Sequence, residues 1–138
     1  RLRMNQLRST AEARQLLNDP TQPSAAREAA VRFLGGDPTP ANLERLIQAL
    51  EDNDFGVRWT AAATLARLGD VALTPLLRTL QKHISVWLRE GALHILYYNQ
   101  SYQVSQRTAE LQQMLKGPAA EVAAAAAAAR LLQQLQVV

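Results

Sequence analysis

His83 and His94 are the two histidines of this 138-residue chain, so any imidazole chemistry must run through them. Neither has a second histidine at the i, i+3 or i, i+4 spacing that would put two metal ligands on one helical face. Acidic residues gather at Glu51-Asp52 and Asp54, but in a stretch that reads as a solvated turn rather than beside a nucleophile. Serine, aspartate and histidine all occur, yet no G-x-S-x-G elbow presents a serine and no glycine-rich loop is placed to hold a phosphate. Gly35-Gly36 is more simply a helix terminus. The expectation is a non-catalytic chain with no metal and no cofactor. What the side chains can do is recognise: Trp59, Tyr98 and several arginines belong to the residue types that dominate binding hot spots.

The elements that hold these residues repeat. Arg27, Arg58 and Arg89 recur at an interval of 31, each near the start of a helix of small residues. In the same register Ala30, Ala61 and Ala92 align, as do Leu34, Leu65 and Leu96. A second motif recurs at an offset of 30, with Leu43, Leu46, Ile47 and Leu50 answered by Leu73, Leu76, Leu77 and Leu80. That is the i, i+3, i+4, i+7 stripe of an amphipathic helix, so the unit is a helix pair.

Break signals predict eight helices. Asn5 to Asn18 is ended by Asp19-Pro20, and Pro23 to Leu34 by Gly35-Gly36. Thr39 caps a third helix that has Pro40 in its first turn and runs to about Glu51. Phe55 to Leu68 follows the cap formed by Asp52-Asn53-Asp54, and Val71 to Lys82 follows Gly69-Asp70, with a bend expected at Pro75. Ser85 to Tyr98 is the sixth. Leu80 then maps to Leu115, a step of 35 that implies a longer connection before a helix over Val104 to Leu115. After Gly117-Pro118 comes an alanine-dominated terminal cap, with Val122, Leu131, Leu132 and Leu135 expected to pack it.

The net charge of +3 invites a nucleic-acid reading until its location is considered. Residues 1 to 14 hold Arg1, Arg3, Arg8 and Arg14 against Glu12, while the remainder is balanced. A phosphate-tracking groove needs basic groups concentrated along one face, so nucleic acid is not the expected partner. No apolar run is long enough to span a bilayer, and the alanine run Ala123 to Ala129 is too short, so no membrane insertion is expected. The absence of cysteine excludes disulfides without fixing a redox compartment, and a cytoplasmic location is the default. No signal peptide is read at the N-terminus, and the opening Arg1 points to a piece of a longer polypeptide.

With these columns in place, Asp52-Asn53-Asp54-Phe55-Gly56-Val57-Arg58-Trp59-Thr60-Ala61-Ala62-Ala63-Thr64-Leu65-Ala66-Arg67-Leu68-Gly69 resembles the HEAT-like repeats of phycobilisome lyase subunits, and Pro75-Leu76-Leu77 with Leu80 matches the outer helix of the next unit. The resemblance implies an all-α, right-handed α-solenoid of about four stacked antiparallel helix pairs. It would form one domain over 1–138, in units near 5–36, 37–69, 70–100 and 101–138. It also implies a structural ladder on Arg27, Arg58 and Arg89, with Asp52 or Asp54 pairing Arg58, and no acid for Arg89. Iron-holding HEAT-like hydroxylases use His-Glu pairs, a dipeptide absent here. Inner helices of such arrays line a concave surface that serves as a scaffold for other proteins.

If Val57, Ala61, Thr64, Leu65 and Leu68 face inward, helical geometry turns Trp59 and Arg67 outward. The equivalent positions are Glu28 and Arg32 in one neighbour and Glu90, His94 and Tyr98 in the other. These seven residues form the candidate partner-binding surface. Trp59 is read either as a binding anchor or as packing on the next helix, and Phe55 and Trp87 as local corner packing. The leading expectation is a protein or peptide ligand. The alternatives are an accessory subunit of a bilin lyase, with Arg32 and Arg67 meeting propionates, and an alkylpurine-glycosylase-like protein.

Overall fold

The computed structural model describes residues 7–118 and 120–136. Arg1 and Arg3 of the basic N-terminal cluster lie outside the described residues, as do the outermost residues of the first and last expected units. Nine helices are present among the described residues, with no strand: α1 (Thr10–Leu17), α2 (Ser24–Gly35), α3 (Pro40–Gln48), α4 (Phe55–Arg67), α5 (Leu73–Lys82), α6 (Val86–Tyr97), α7 (Tyr102–Arg107), α8 (Ala109–Lys116) and α9 (Ala120–Gln136). None is long and apolar enough to cross a membrane.

Side-chain caps set four of the starts. Ser9, Thr39, Asp54 and Ser85 each accept the backbone N–H three residues ahead, from Glu12, Asn42, Val57 and Leu88. The Ser9 cap moves the first helix start from the expected Asn5 to Thr10. At the other end of α4, Gly69 takes a φ of +68°, a left-handed conformation open to glycine. A 3-10 turn over Gly69–Ala72 follows, so α5 begins at Leu73 rather than Val71. Pro75 therefore falls in the first turn, where a backbone N–H would have no intrahelical acceptor, and the expected bend there has no cause.

The helices form two layers, an α-solenoid of stacked pairs. Helices α2, α4 and α6 pack side by side, and α1, α3 and α5 form the second layer. The repeat columns fill the seam between them. Ala30, Ala61, Ala92, Leu34, Leu65 and Leu96 are all fully buried, and both leucine stripes of α3 and α5 lie in the same core. Small residues let the helices approach closely: a Cβ on Gly35 would sit 2.4 Å from Thr64 Cγ2.

The fourth pair breaks the pattern. The long connection expected after Tyr98 is the short helix α7, and Thr108 separates it from α8. Thr108 turns its hydroxyl back onto the Val104 carbonyl at 2.7 Å, while Gln112 bonds the Ser105 carbonyl at 3.0 Å, which secures the break. Helix α8 then packs beside α6, and α9 beside α5, so the order of the layers is exchanged relative to the preceding pairs. Leu115 is accordingly not the counterpart of Leu80. Val122, expected in the core, is 78% exposed, whereas Leu132 is buried and Leu131 and Leu135 pack against the core as expected, and α9 also buries Ala120, Ala124, Ala127 and Ala128. Alanine contributes little area per residue but lets α9 lie close against α5.

Candidate functional site

The ladder residues are positioned by the joints between units. Arg27 reaches forward to Asp52 of the next unit, with Nη2 3.2 Å from Oδ1 and both side chains nearly buried. Asp52 is thus the partner of Arg27 and not of Arg58. Asp54 does not pair with Arg58 either: it caps α4 and accepts the Ser24 hydroxyl at 2.9 Å. The Ser24 hydroxyl and then the Val57 amide hold the Asp54 carboxyl below its ordinary pKa.

The register explains what happens to Arg58. Asp52 lies 25 residues after Arg27, and 25 residues after Arg58 stands His83, which offers no carboxylate. Arg58 instead donates to the carbonyls of Asp52 and Asn53 at 2.8 and 3.1 Å. Its guanidinium then lies over the Trp87 ring, 4.1 Å from the centroid. Glu51 bridges the same joint, accepting the Ser85 hydroxyl at 2.5 Å and meeting His83 Nε2 at 3.0 Å. Among the described residues no carboxylate pairs with Arg89.

Part of the basic N-terminal excess is structural. Arg14 bonds the fully buried Asn42, whose amide donates to the Asp37 carbonyl at 2.7 Å.

The outward stripe falls where helical geometry places it. Arg32, Trp59, Arg67, Glu90 and Tyr98 are exposed, whereas Glu28 and His94 are half-buried. Trp59 on α4 meets His94 on α6 with ring centroids 4.5 Å apart, and His94 meets Tyr98 at 4.9 Å. Burial between these rings pushes the His94 pKa below its ordinary value. Glu28 packs against Gly56 at the start of α4. Arg32 and Arg67 stand in the last turns of their helices, joining no aromatic contact among the described residues.

Phe55 and Tyr97 extend the row. Phe55 stacks on Trp59 at 6.3 Å and 7° between planes, and Tyr97 meets Tyr98 edge-on at 4.8 Å. Phe55 is 69% exposed, which corrects its reading as corner packing, whereas Trp87, 38% exposed, does pack locally beneath the Arg58 guanidinium. Both stand in the first turn of their helices. Tyr102, at the start of α7, is also exposed. Their only sequence signal is aromatic type at a helix start, which does not separate a corner plug from a surface group.

Between α4 and α6 lies a cleft of about 140 Å³, lined by Leu50, Phe55, Arg58, Trp59, Ala62, Trp87, Glu90 and Gly91. A larger groove of about 640 Å³ runs on the opposite layer between α3 and α5, past Leu43, Glu44, Ile47, Pro75, Arg78 and Lys82. Size alone favours the groove. It carries Arg78 and His83 but no Trp, Tyr or Phe, whereas the cleft carries Phe55, Trp59 and Trp87, and binding energy concentrates on such anchors, so the smaller cleft is the stronger candidate.

The comparison that decides the family is a match of the HEAT repeat model to residues 10–97. The chain belongs to the HEAT repeat family. No curated protein and no solved structure gives a match. The matched segment begins with α1 and ends with α6, so the three regular helix pairs are the HEAT units. The pair with exchanged layers lies beyond it. HEAT repeats commonly mediate contacts between proteins.

Proposed function

We propose that this HEAT array is a non-catalytic protein-binding module whose partner docks on the α4/α6 face, with Trp59 as the central anchor. The observation that supports it most is the continuous row Phe55, Trp59, His94, Tyr98, in which a 52%-exposed tryptophan stands between rings from two helices. Solvent exposure of so many contiguous rings is unfavourable for an isolated surface, and a partner that covers them gains apolar burial at little entropic cost. Glu90 stands at the rim of the cleft, where a charge would tune rate and specificity, and Arg32, Arg67 and Glu28 are read in the same role on the neighbouring stripe positions.

The test is a comparative pull-down from lysate with the wild-type chain and Trp59→Ala. Proteins recovered by the first and lost with the second support the reading. Identical recovery by both places the docking surface elsewhere.

A further inference from the structure

The α4/α6 face constrains the shape of what it can hold. The cleft beside Trp59 has a volume of about 140 Å³, room for one side chain rather than a row of them. It stays open partly because Gly91 lines it without a side chain, and a Cβ there would come within 3.0 Å of Leu50. A helical ligand anchors through i, i+3, i+4 and i+7 and needs an elongated trough. Here one hole is followed by a ridge of rings tilted 53° and 41° to one another, their centroids 4.5 and 4.9 Å apart.

The chemistry of the rim narrows the choice further. Trp59 offers an indole N–H and Tyr98 a phenolic O–H on exposed rings, and Trp87, with one face under Arg58, carries a further indole N–H. A ligand with free carbonyls and few N–H groups complements such donors. Glu90 lines the cleft and makes no ion pair among the described residues, whereas Arg58 is engaged with two backbone carbonyls. Glu90 is therefore the outward-facing charge of a cleft whose other charge, the Arg58 guanidinium, lies over Trp87 and is turned to backbone carbonyls.

Resting on the reading of this face as a docking surface, we propose that its partner is a proline-rich segment in the polyproline II conformation, with a Lys or Arg beside the proline that enters the cleft. Such a segment has no internal hydrogen bonds, so its carbonyls are free to accept, and its prolines carry no N–H. Pyrrolidine rings lie flat on aromatic faces, and the preformed conformation loses little entropy on docking. At about 3.1 Å per residue, rings spaced 6.3, 4.5 and 4.9 Å apart accommodate about five residues of the ligand. The cation meets Glu90.

The chain carries its own reporter, since its two tryptophans, Trp59 and Trp87, both line the cleft. Tryptophan emission of the 138-residue chain is titrated with a ten-residue proline-rich peptide containing one arginine. Parallel titrations use the same peptide with alternate prolines replaced by alanine, its arginine-free version, and an amphipathic helical peptide of leucine and lysine. The expected result is saturable binding of the proline peptide, weakened at least about tenfold by the alanine replacements and by Trp59→Ala. Glu90→Gln should weaken the arginine peptide severalfold and leave the arginine-free one unchanged. If the helical or alanine-substituted peptide binds as tightly, in a Trp59-dependent way, the proline inference falls and the docking surface stands. No emission change with any peptide also overturns the inference, and the pull-down then judges the surface separately. Binding of the proline peptide that ignores both Trp59→Ala and Glu90→Gln overturns both.

Discussion

Arg27 and Asp52 join consecutive helix pairs across their boundary, 3.2 Å apart, with side chains only 8% and 13% exposed. Removing one partner leaves the other charge buried and unpaired. Asp52→Ala is therefore expected to cost about 3 to 5 kcal/mol in urea unfolding. Arg58→Ala removes hydrogen bonds from a more exposed guanidinium and should cost about 1 kcal/mol. Equal losses would contradict the assignment of Asp52 to Arg27.

Core and surface substitutions test the placement of the helices. Leu65 is fully buried, and Leu65→Ala should cost about 2 to 5 kcal/mol. Val122→Ser, at a position 78% exposed, should change stability by no more than about 0.5 kcal/mol. Ala124→Leu, on the buried face of α9, should cost about 1 to 3 kcal/mol by overpacking. A destabilising Val122→Ser with a neutral Ala124→Leu would rotate α9 and refute its contact with α5.

What could be read in the sequence was the part governed by local periodicity. Ala61 and Leu65 repeat in fixed register because each unit meets the same neighbour, and their burial follows from helical geometry alone. The outward placement of Trp59 and Tyr98 rests on the same argument. The partner of Asp52 was not legible, because it depends on how far one helix pair slides along the next, and two arginines lie within reach in sequence. Nor was the exchange of layers in the fourth pair. An alanine run has almost no hydrophobic contrast to mark a face, and the break at Thr108 rests on hydrogen bonds from its own side chain and Gln112.

His94 introduces a pH dependence of known sign. Its folded pKa lies below the ordinary value of 6.5 because burial disfavours the imidazolium. Between those two values the unfolded chain binds more protons than the folded one. The His94 contribution is thus fully present above the unfolded pKa and declines as pH falls through about 6.5, levelling off below the folded pKa. Urea midpoints between pH 7.5 and 5.5 should fall less steeply for His94→Phe than for wild type. Parallel slopes would show that His94 titrates alike in both states.

The most direct measurement is calorimetric titration of a partner recovered by the wild-type chain against wild type, Trp59→Ala and Glu44→Ala. Trp59 is the proposed anchor of the α4/α6 face, whereas Glu44 is exposed and lines the α3/α5 groove. Trp59→Ala should weaken binding by at least about 2 kcal/mol with helicity intact, and Glu44→Ala should leave affinity unchanged. Normal binding by Trp59→Ala together with loss in Glu44→Ala would move the working surface to the opposite layer and contradict the account.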